Sequence, residues 1–259
     1  MVVRRWAPDD EARFVVLVVH GYGEHSGRYM HVAARLNADG AVVYAPDHYG
    51  HGRSAGDRAV VDDIEAMVAD LARVDALARE QHPDLPVVVV GHSLGGMIAT
   101  RFVQTQEADL AALVLSGPVV AGNEEILALK DVDPLPEVPL DPAVLSRDPA
   151  VGEAYAADPL IYHGPFARET LREISDAVER IAAGPGFGAL PTLWIHGELD
   201  PLAPYAATRA AMEHLRGAAT EEKVYPGAMH EIFNETNQDE VLDDVGEFLG
   251  GVLARAPAD

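Results

Sequence analysis

The chain has no cysteine. Disulfides, thiol nucleophiles and thiolate metal sites are therefore excluded together, while the compartment is left open. It also has no run of about 18 apolar residues, so no membrane-spanning helix is expected. Met1 to Trp6 leads directly to Asp9, Asp10 and Glu11. Without the apolar stretch of a secretory signal, the expectation is a cytoplasmic protein. Positive charge is scarce: 19 Lys and Arg face 42 Asp and Glu, a net charge of −23. That surface repels nucleic acid and strongly anionic membranes, and leaves neutral or zwitterionic substrates open.

What is present is a core. Of 259 residues, 48% are hydrophobic, enough for one large α/β domain with an insertion. The organising stretch is Val87-Val88-Val89-Val90-Gly91-His92-Ser93-Leu94-Gly95-Gly96. Four β-branched residues in a row read as a strand buried on both faces of a parallel sheet. Met97 to Val103 then carries apolar residues at helical spacing. Between them lies G-x-S-x-G, a strand-to-helix elbow that needs glycine beside a strained serine. The elbow would hold the Ser93 hydroxyl out over a helix N-terminus, which favours negative charge.

Strands and helices alternate around it. Val2 to Trp6 reads as an edge strand, and Arg13 to Val19 and Ala41 to Ala45 as buried strands, the latter ended by Pro46. Met30 to Ala38 is a helix. Asp62 to His82 is another, with Ile64, Met67, Val68, Leu71, Val74 and Leu77 on its apolar stripe. Leu110 to Ser116, Thr192 to Ile195 and Glu222 to Tyr225 are strands, and Ala203 to Leu215 and Glu240 to Leu253 helices. This pace predicts a mostly parallel sheet with helices on both faces. Residues 119–190 break it: prolines recur, and two helical patches, Val144 to Ala157 and Arg168 to Ala182, stand alone. The expected division is a core at 1–118 and 191–259, with an inserted lid at 119–190. The tail at 255–259 is expected to fray.

A serine needs a base, and the base needs an orienting carboxylate. Asp200 and His230 follow the strands at Thr192 and Glu222, in the order serine, acid, histidine. Glu198 is the competing acid, but it lies on the tight turn nearer the strand. An oxyanion hole needs two N–H donors; Leu94, after the serine, and Tyr22, in His20-Gly21-Tyr22-Gly23, are the candidates. His20, His92 and His196 sit at strand ends, where most histidines are satisfied by hydrogen bonds. His48 and His51 have no carboxylate at a ligand-like spacing, so neither a metal nor a cofactor is expected.

His20 to Tyr29 resembles the H-G-x-G-E-H-S-G-R-Y signature of monoacylglycerol lipases. Asp47 to Ser54 resembles their D-x-x-G-H-G-x-S loop, with Tyr49 where arginine is usual. Gly91 to Gly96 resembles G-H-S-M-G-G, with Leu94 for methionine. His196 to Pro204 and Tyr225 to Glu235 resemble their acid and histidine blocks. The resemblance spans the chain and is weakest in the insertion. It implies an α/β-hydrolase fold with a mobile cap and hydrolysis of a single-chain glyceride ester, and it places Glu24, Arg28 and His92 near the glycerol end. Among the insertion's apolar residues, Ile126 and Leu129 are expected to line the acyl groove. Membrane or micelle contact would be transient and peripheral, through the cap. The alternatives are a lysophospholipase, a short-chain carboxylesterase or perhydrolase, and a catalytically silent binding module of the same fold. Serine at the elbow argues against dehalogenase and epoxide-hydrolase chemistry, which needs a carboxylate nucleophile.

Overall fold

The computed structural model describes residues 1–106, 109–137 and 139–255. The chain order is β1 (Val2–Trp6), β2 (Phe14–Val19), α1 (Met30–Ala38), β3 (Ala41–Asp47), α2 (Ile64–Gln81), β4 (Val87–His92), α3 (Leu94–Thr105) and β5 (Ala112–Ser116). A helical segment follows, with α4 (Glu124–Ala128), α5 (Pro149–Ala157) and α6 (Arg168–Ala183). The sheet resumes in β6 (Thr192–Gly197), α7 (Tyr205–Leu215), β7 (Thr220–Tyr225) and α8 (Gln238–Leu253). The expected frayed tail, from residue 256 on, lies outside the described residues.

One sheet of order β1-β3-β2-β4-β5-β6-β7 runs through the molecule. Only β1 is antiparallel, paired with β3; the other neighbours are parallel. Side chains alternate across the pleat. Val15, Leu17 and Val19 of β2 join a core with α2, α3 and α7. Phe14, Val16 and Val18 join the opposite core with α1 and α8. Both faces are covered, which is why β2 and β4 read as unbroken apolar runs. Among the described residues, no helix is long and apolar enough to cross a membrane.

Three local expectations change. Pro46 does not end β3, which continues to Asp47. The pairing of β3 with β2 stops at Tyr44, so no strand on that side needs the N–H that proline lacks. Leu77 is off the apolar stripe of α2 and exposed, while Ala78 is buried. At about 100° per residue, Ala78 lies almost directly below Leu71, and Leu77 a third of a turn away. Helix α4 was not foreseen, because five residues are too few to show a period. Its N-cap is Asn123, whose side chain accepts from the Ile126 N–H.

The segment between β5 and β6 does not behave as one piece. Helix α6 is strongly amphipathic, and Ile174, Ala177 and Ile181 enter the main core. Thr170 and Glu173 accept the N–H groups of Val61 and Ile64, tying α6 to the start of α2. The part before α6 has its own small cluster of Leu145, Tyr155 and Ile161.

Candidate active site

The elbow is built where β4 meets α3. Ser93 has φ 56° and ψ −119°, a region costly for any residue with a Cβ. Glycine beside it is a steric necessity. A Cβ on Gly91 would lie 2.5 Å from the Gly95 carbonyl oxygen, and one on Gly95 only 2.0 Å from that of Val19. The Ser93 N–H donates to Ser116 O at 2.9 Å, and Ser93 O accepts from Gly96 and Met97. The strained residue is thus held on both sides.

The three expected polar residues meet although 137 and 30 positions separate them. Ser93 Oγ lies 2.9 Å from His230 Nε2. His230 Nδ1 lies 2.8 Å from Asp200 Oδ2. All three are buried. Asp200 Oδ1 accepts from the backbone N–H groups of Leu202 and Ala203. Glu198, the competing acid, is exposed and accepts from the Gly227 N–H instead. His196 supports the carboxylate from behind. Its Nδ1 accepts from Trp194 Nε1, so its Nε2–H faces Ala203 O at 2.7 Å and Asp200 Oδ2 at 3.3 Å.

The charges follow from this packing. Burial opposes the charged form of Asp200, but His230 and His196 outweigh it and hold the carboxyl well below its usual range. Burial also opposes the His230 imidazolium. The Asp200 charge and hydrogen bond, with Glu231 and Glu24, overcome that and raise it above the ordinary imidazole value. His92 packs against His230 with ring centroids 4.8 Å apart. Burial and then the neighbouring His230 lower it to about 4. A hydroxyl, an imidazole and a carboxylate so joined can deprotonate the serine as its oxygen attacks a carbonyl.

The loop after β2 lies against the nucleophile: a Cβ on Gly21 would approach Ser93 Cβ at 3.2 Å. Glu24 Oε1 accepts from the Gly21 N–H at 2.6 Å and from Tyr29 Oη at 2.7 Å. Among the described residues, neither the Tyr22 N–H nor the Leu94 N–H has a protein acceptor. The nearby histidines are structural. His20 donates from Nδ1 to Gly21 O and accepts the His48 N–H at Nε2, and His48 donates to His20 O. Among the described residues, no group of three His, Asp or Glu is placed to hold a metal.

A pocket opens above Ser93, with about 750 Å³ of empty space counting its mouth. Its walls are mostly apolar, including Ile126, Leu127, Leu140, Leu145, Phe166 and Ile174. Its polar end is Glu24, His92 and Glu231. Leu129 is not in the lining. It starts the 3-10 turn Leu129–Asp131 after α4, which packs on α6, and Leu127 lines the pocket instead. Arg28 is also outside the lining, bound between Glu24 and Glu231. Glu231 and Tyr155 went unnoticed in the sequence; beyond adjacency to His230, nothing there marks Glu231.

Comparisons with known proteins place the chain in a family. The model of the family described as serine aminopeptidase, S33, matches residues 10–237. The monoacylglycerol lipase of Mycolicibacterium smegmatis is 38% identical over 253 residues, 94% of this chain and 90% of that one. The crystal structure of a Paleococcus ferrophilus monoacylglycerol lipase superposes with a TM-score of 0.82 at 29% identity, covering 97% of this chain and 100% of that one. A carboxyl esterase of Bacillus coagulans, in complex with glycerol, gives 0.77 at 28% identity, covering 97% and 94%. The chain has the α/β-hydrolase fold and belongs to the serine aminopeptidase S33 (Hydrolase_4) family of hydrolases.

Proposed function

We propose that the protein hydrolyses monoacylglycerol to glycerol and a free fatty acid through an acyl-enzyme on Ser93. The observation that carries the reading is Ser93 Oγ, in contact with His230, at the floor of a pocket with apolar walls and one polar corner. In this reading Ser93 Oγ attacks the acyl carbon and His230 takes its proton. The Tyr22 and Leu94 N–H groups stabilise the developing oxyanion. His230 returns the proton to the departing glycerol oxygen. A water then attacks the acyl-enzyme while His230 takes its proton; His230 returns that proton to Ser93 Oγ as the acyl–oxygen bond breaks, and the fatty acid leaves. Asp200 keeps the imidazole in the reactive tautomer.

The substrate class follows from the relatives and from the pocket. An acyl chain would lie among Ile126, Leu127, Leu140 and Ile174, each buried methylene contributing about 0.8 kcal/mol. The glycerol would face Glu24 and His92. The region before α6 serves as the cap within the 119–190 insertion, while α6 belongs to the fixed scaffold. Membrane or micelle contact is transient and runs through this cap. The polar end presents two carboxylates, with the one guanidinium that pairs them outside the pocket lining, which disfavours the phosphate of a lysophospholipid. The likeness to the Bacillus coagulans carboxyl esterase favours a second reading, a carboxylesterase, here taken as one that prefers short-chain esters. A rate survey over acyl length, on monoacylglycerol, lysophospholipid, triacylglycerol and acetate esters, separates the readings. A steep rise with monoacylglycerol chain length supports the first. A maximum at acetate, or faster turnover of triacylglycerol, refutes it.

A further inference from the structure

The resemblance placed Arg28 near the glycerol, but the structure occupies its fork with protein. Its Nη1 donates to Glu24 Oε2 at 2.8 Å and to Glu231 Oε1 at 2.6 Å, and its Nη2 to Glu231 Oε2 at 2.6 Å. The Tyr155 ring covers it, with the guanidinium carbon 5.2 Å from the centroid. The two carboxylates belong to different loops. Glu24 holds the Gly21 N–H at the start of the oxyanion loop. Glu231 follows His230 directly and gives its own N–H to Leu145 O in the cap. All of these groups are buried or nearly so, where a bidentate arginine–carboxylate pair is geometrically demanding and removal of one partner strands a charge.

We propose that Arg28 is a positioning residue: it clamps the oxyanion loop to the histidine loop and balances the two carboxylates beside His230. It touches no substrate. The trio of Glu24, Arg28 and Glu231 carries one net negative charge. The groups facing His230 are Asp200 with His196 behind it, His92 from the end of β4, Glu231 on its own loop, and Glu24 and Arg28 from the loop after β2, with Tyr155 over Arg28. Of these, Glu231 and Glu24 raise the imidazole after Asp200 does, against burial. Changing the charge of the trio should therefore move the pH at which His230 becomes a base. Changing only its shape should not.

The proposal rests on the reading of His230 as the base, and it is tested by four variants on a water-soluble acetate ester. Glu231→Gln makes the trio neutral and should shift the acid limb of kcat/KM down by about half a pH unit. Arg28→Met makes it doubly negative and should shift the limb up. The double variant restores the original charge and should return it to the wild-type position. Arg28→Lys keeps the charge without the fork, so the limb should stay while kcat falls. In Arg28→Met, kcat should fall about 100-fold from the misplaced loop with KM nearly unchanged. A limb that ignores the charge order, or a raised KM at constant kcat in Arg28→Met, would overturn the proposal. If Arg28→Met does not fold by circular dichroism, Glu231→Gln decides: an unmoved limb refutes the charge role. Activity surviving in Ser93→Ala would instead refute the catalytic reading itself.

Discussion

Gly95→Ala puts one methyl group where strand and helix touch. The new Cβ would stand 2.0 Å from Val19 O and 2.6 Å from His20 O, where contacts below 3.0 Å essentially never occur. Both atoms are backbone, at the junction of β2 and the loop that follows it, so no side chain can swing aside. The helix must retreat from the strand by about 1 Å. Overpacking of this kind costs about 1 to 3 kcal/mol, and the rigid backbone on both sides argues for the upper value. For a chain of this size, about 3 kcal/mol lowers Tm by roughly 6 to 12 °C. The same movement displaces Ser93 and the Leu94 N–H, and a 1 Å misplacement costs about 100-fold in rate. The control is Gly250→Ala, in α8, where a Cβ meets nothing within 4 Å. It should leave Tm unchanged or raised by up to a few degrees, since alanine favours a helix. Thermal unfolding followed by circular dichroism, with turnover of a chromogenic acetate ester, measures both. A Gly95→Ala protein that melts within 2 °C of wild type at full turnover would refute the steric argument.

Further outcomes follow from the same geometry. Asp200→Asn should lower kcat by about 10⁴-fold through a wrong tautomer, whereas Glu198→Gln, which loses only a bond to Gly227, should cost less than threefold; steady-state kinetics of both would expose a reversed order. The kcat/KM profile should rise with pH through a single ionisation above about 6.5. The base must be neutral to act, and a raised pKa means activity is lost at a higher pH on acidification. His92, lowered to about 4, should not add a second step near neutrality; two steps there would contradict this. Ile126→Asp should raise KM for a long-chain monoacylglycerol at least 10-fold while sparing an acetate ester. Leu129→Asp, outside the pocket, should affect both substrates little; equal losses from the two variants would undo the placement of the acyl chain.

The sheet was legible because burial on both faces leaves a one-dimensional mark, such as Val87 to Val90. The elbow was legible because its sterics demand glycine at fixed offsets. The meeting of Asp200 and His230 was legible because each lies in a loop that follows a strand, and such loops converge on one edge of a parallel sheet. What escaped depends on distant partners. Pro46 lies within β3 because the pairing of β3 with β2 stops at Tyr44, and no pattern in β3 reveals that. Leu129 and Leu127 look alike in sequence; only the turn after α4 decides which faces the pocket. The Arg28 clamp joins residues 203 positions apart, and its partner Glu231 is one acid among 42 Asp and Glu. Helix α6 reads as part of an insertion, yet its apolar stripe needs a core to bury it, and the core it finds is the main one.

The central claim is that Ser93 forms the acyl-enzyme in cleaving monoacylglycerol. The direct measurement is labelling with a fluorophosphonate, peptide mapping of the adduct, and monoacylglycerol hydrolysis by the wild type and Ser93→Ala. The account predicts one adduct per chain, on the peptide at Ser93, and loss of both labelling and hydrolysis in the variant. An adduct on another serine, or monoacylglycerol turnover that survives Ser93→Ala, would contradict it.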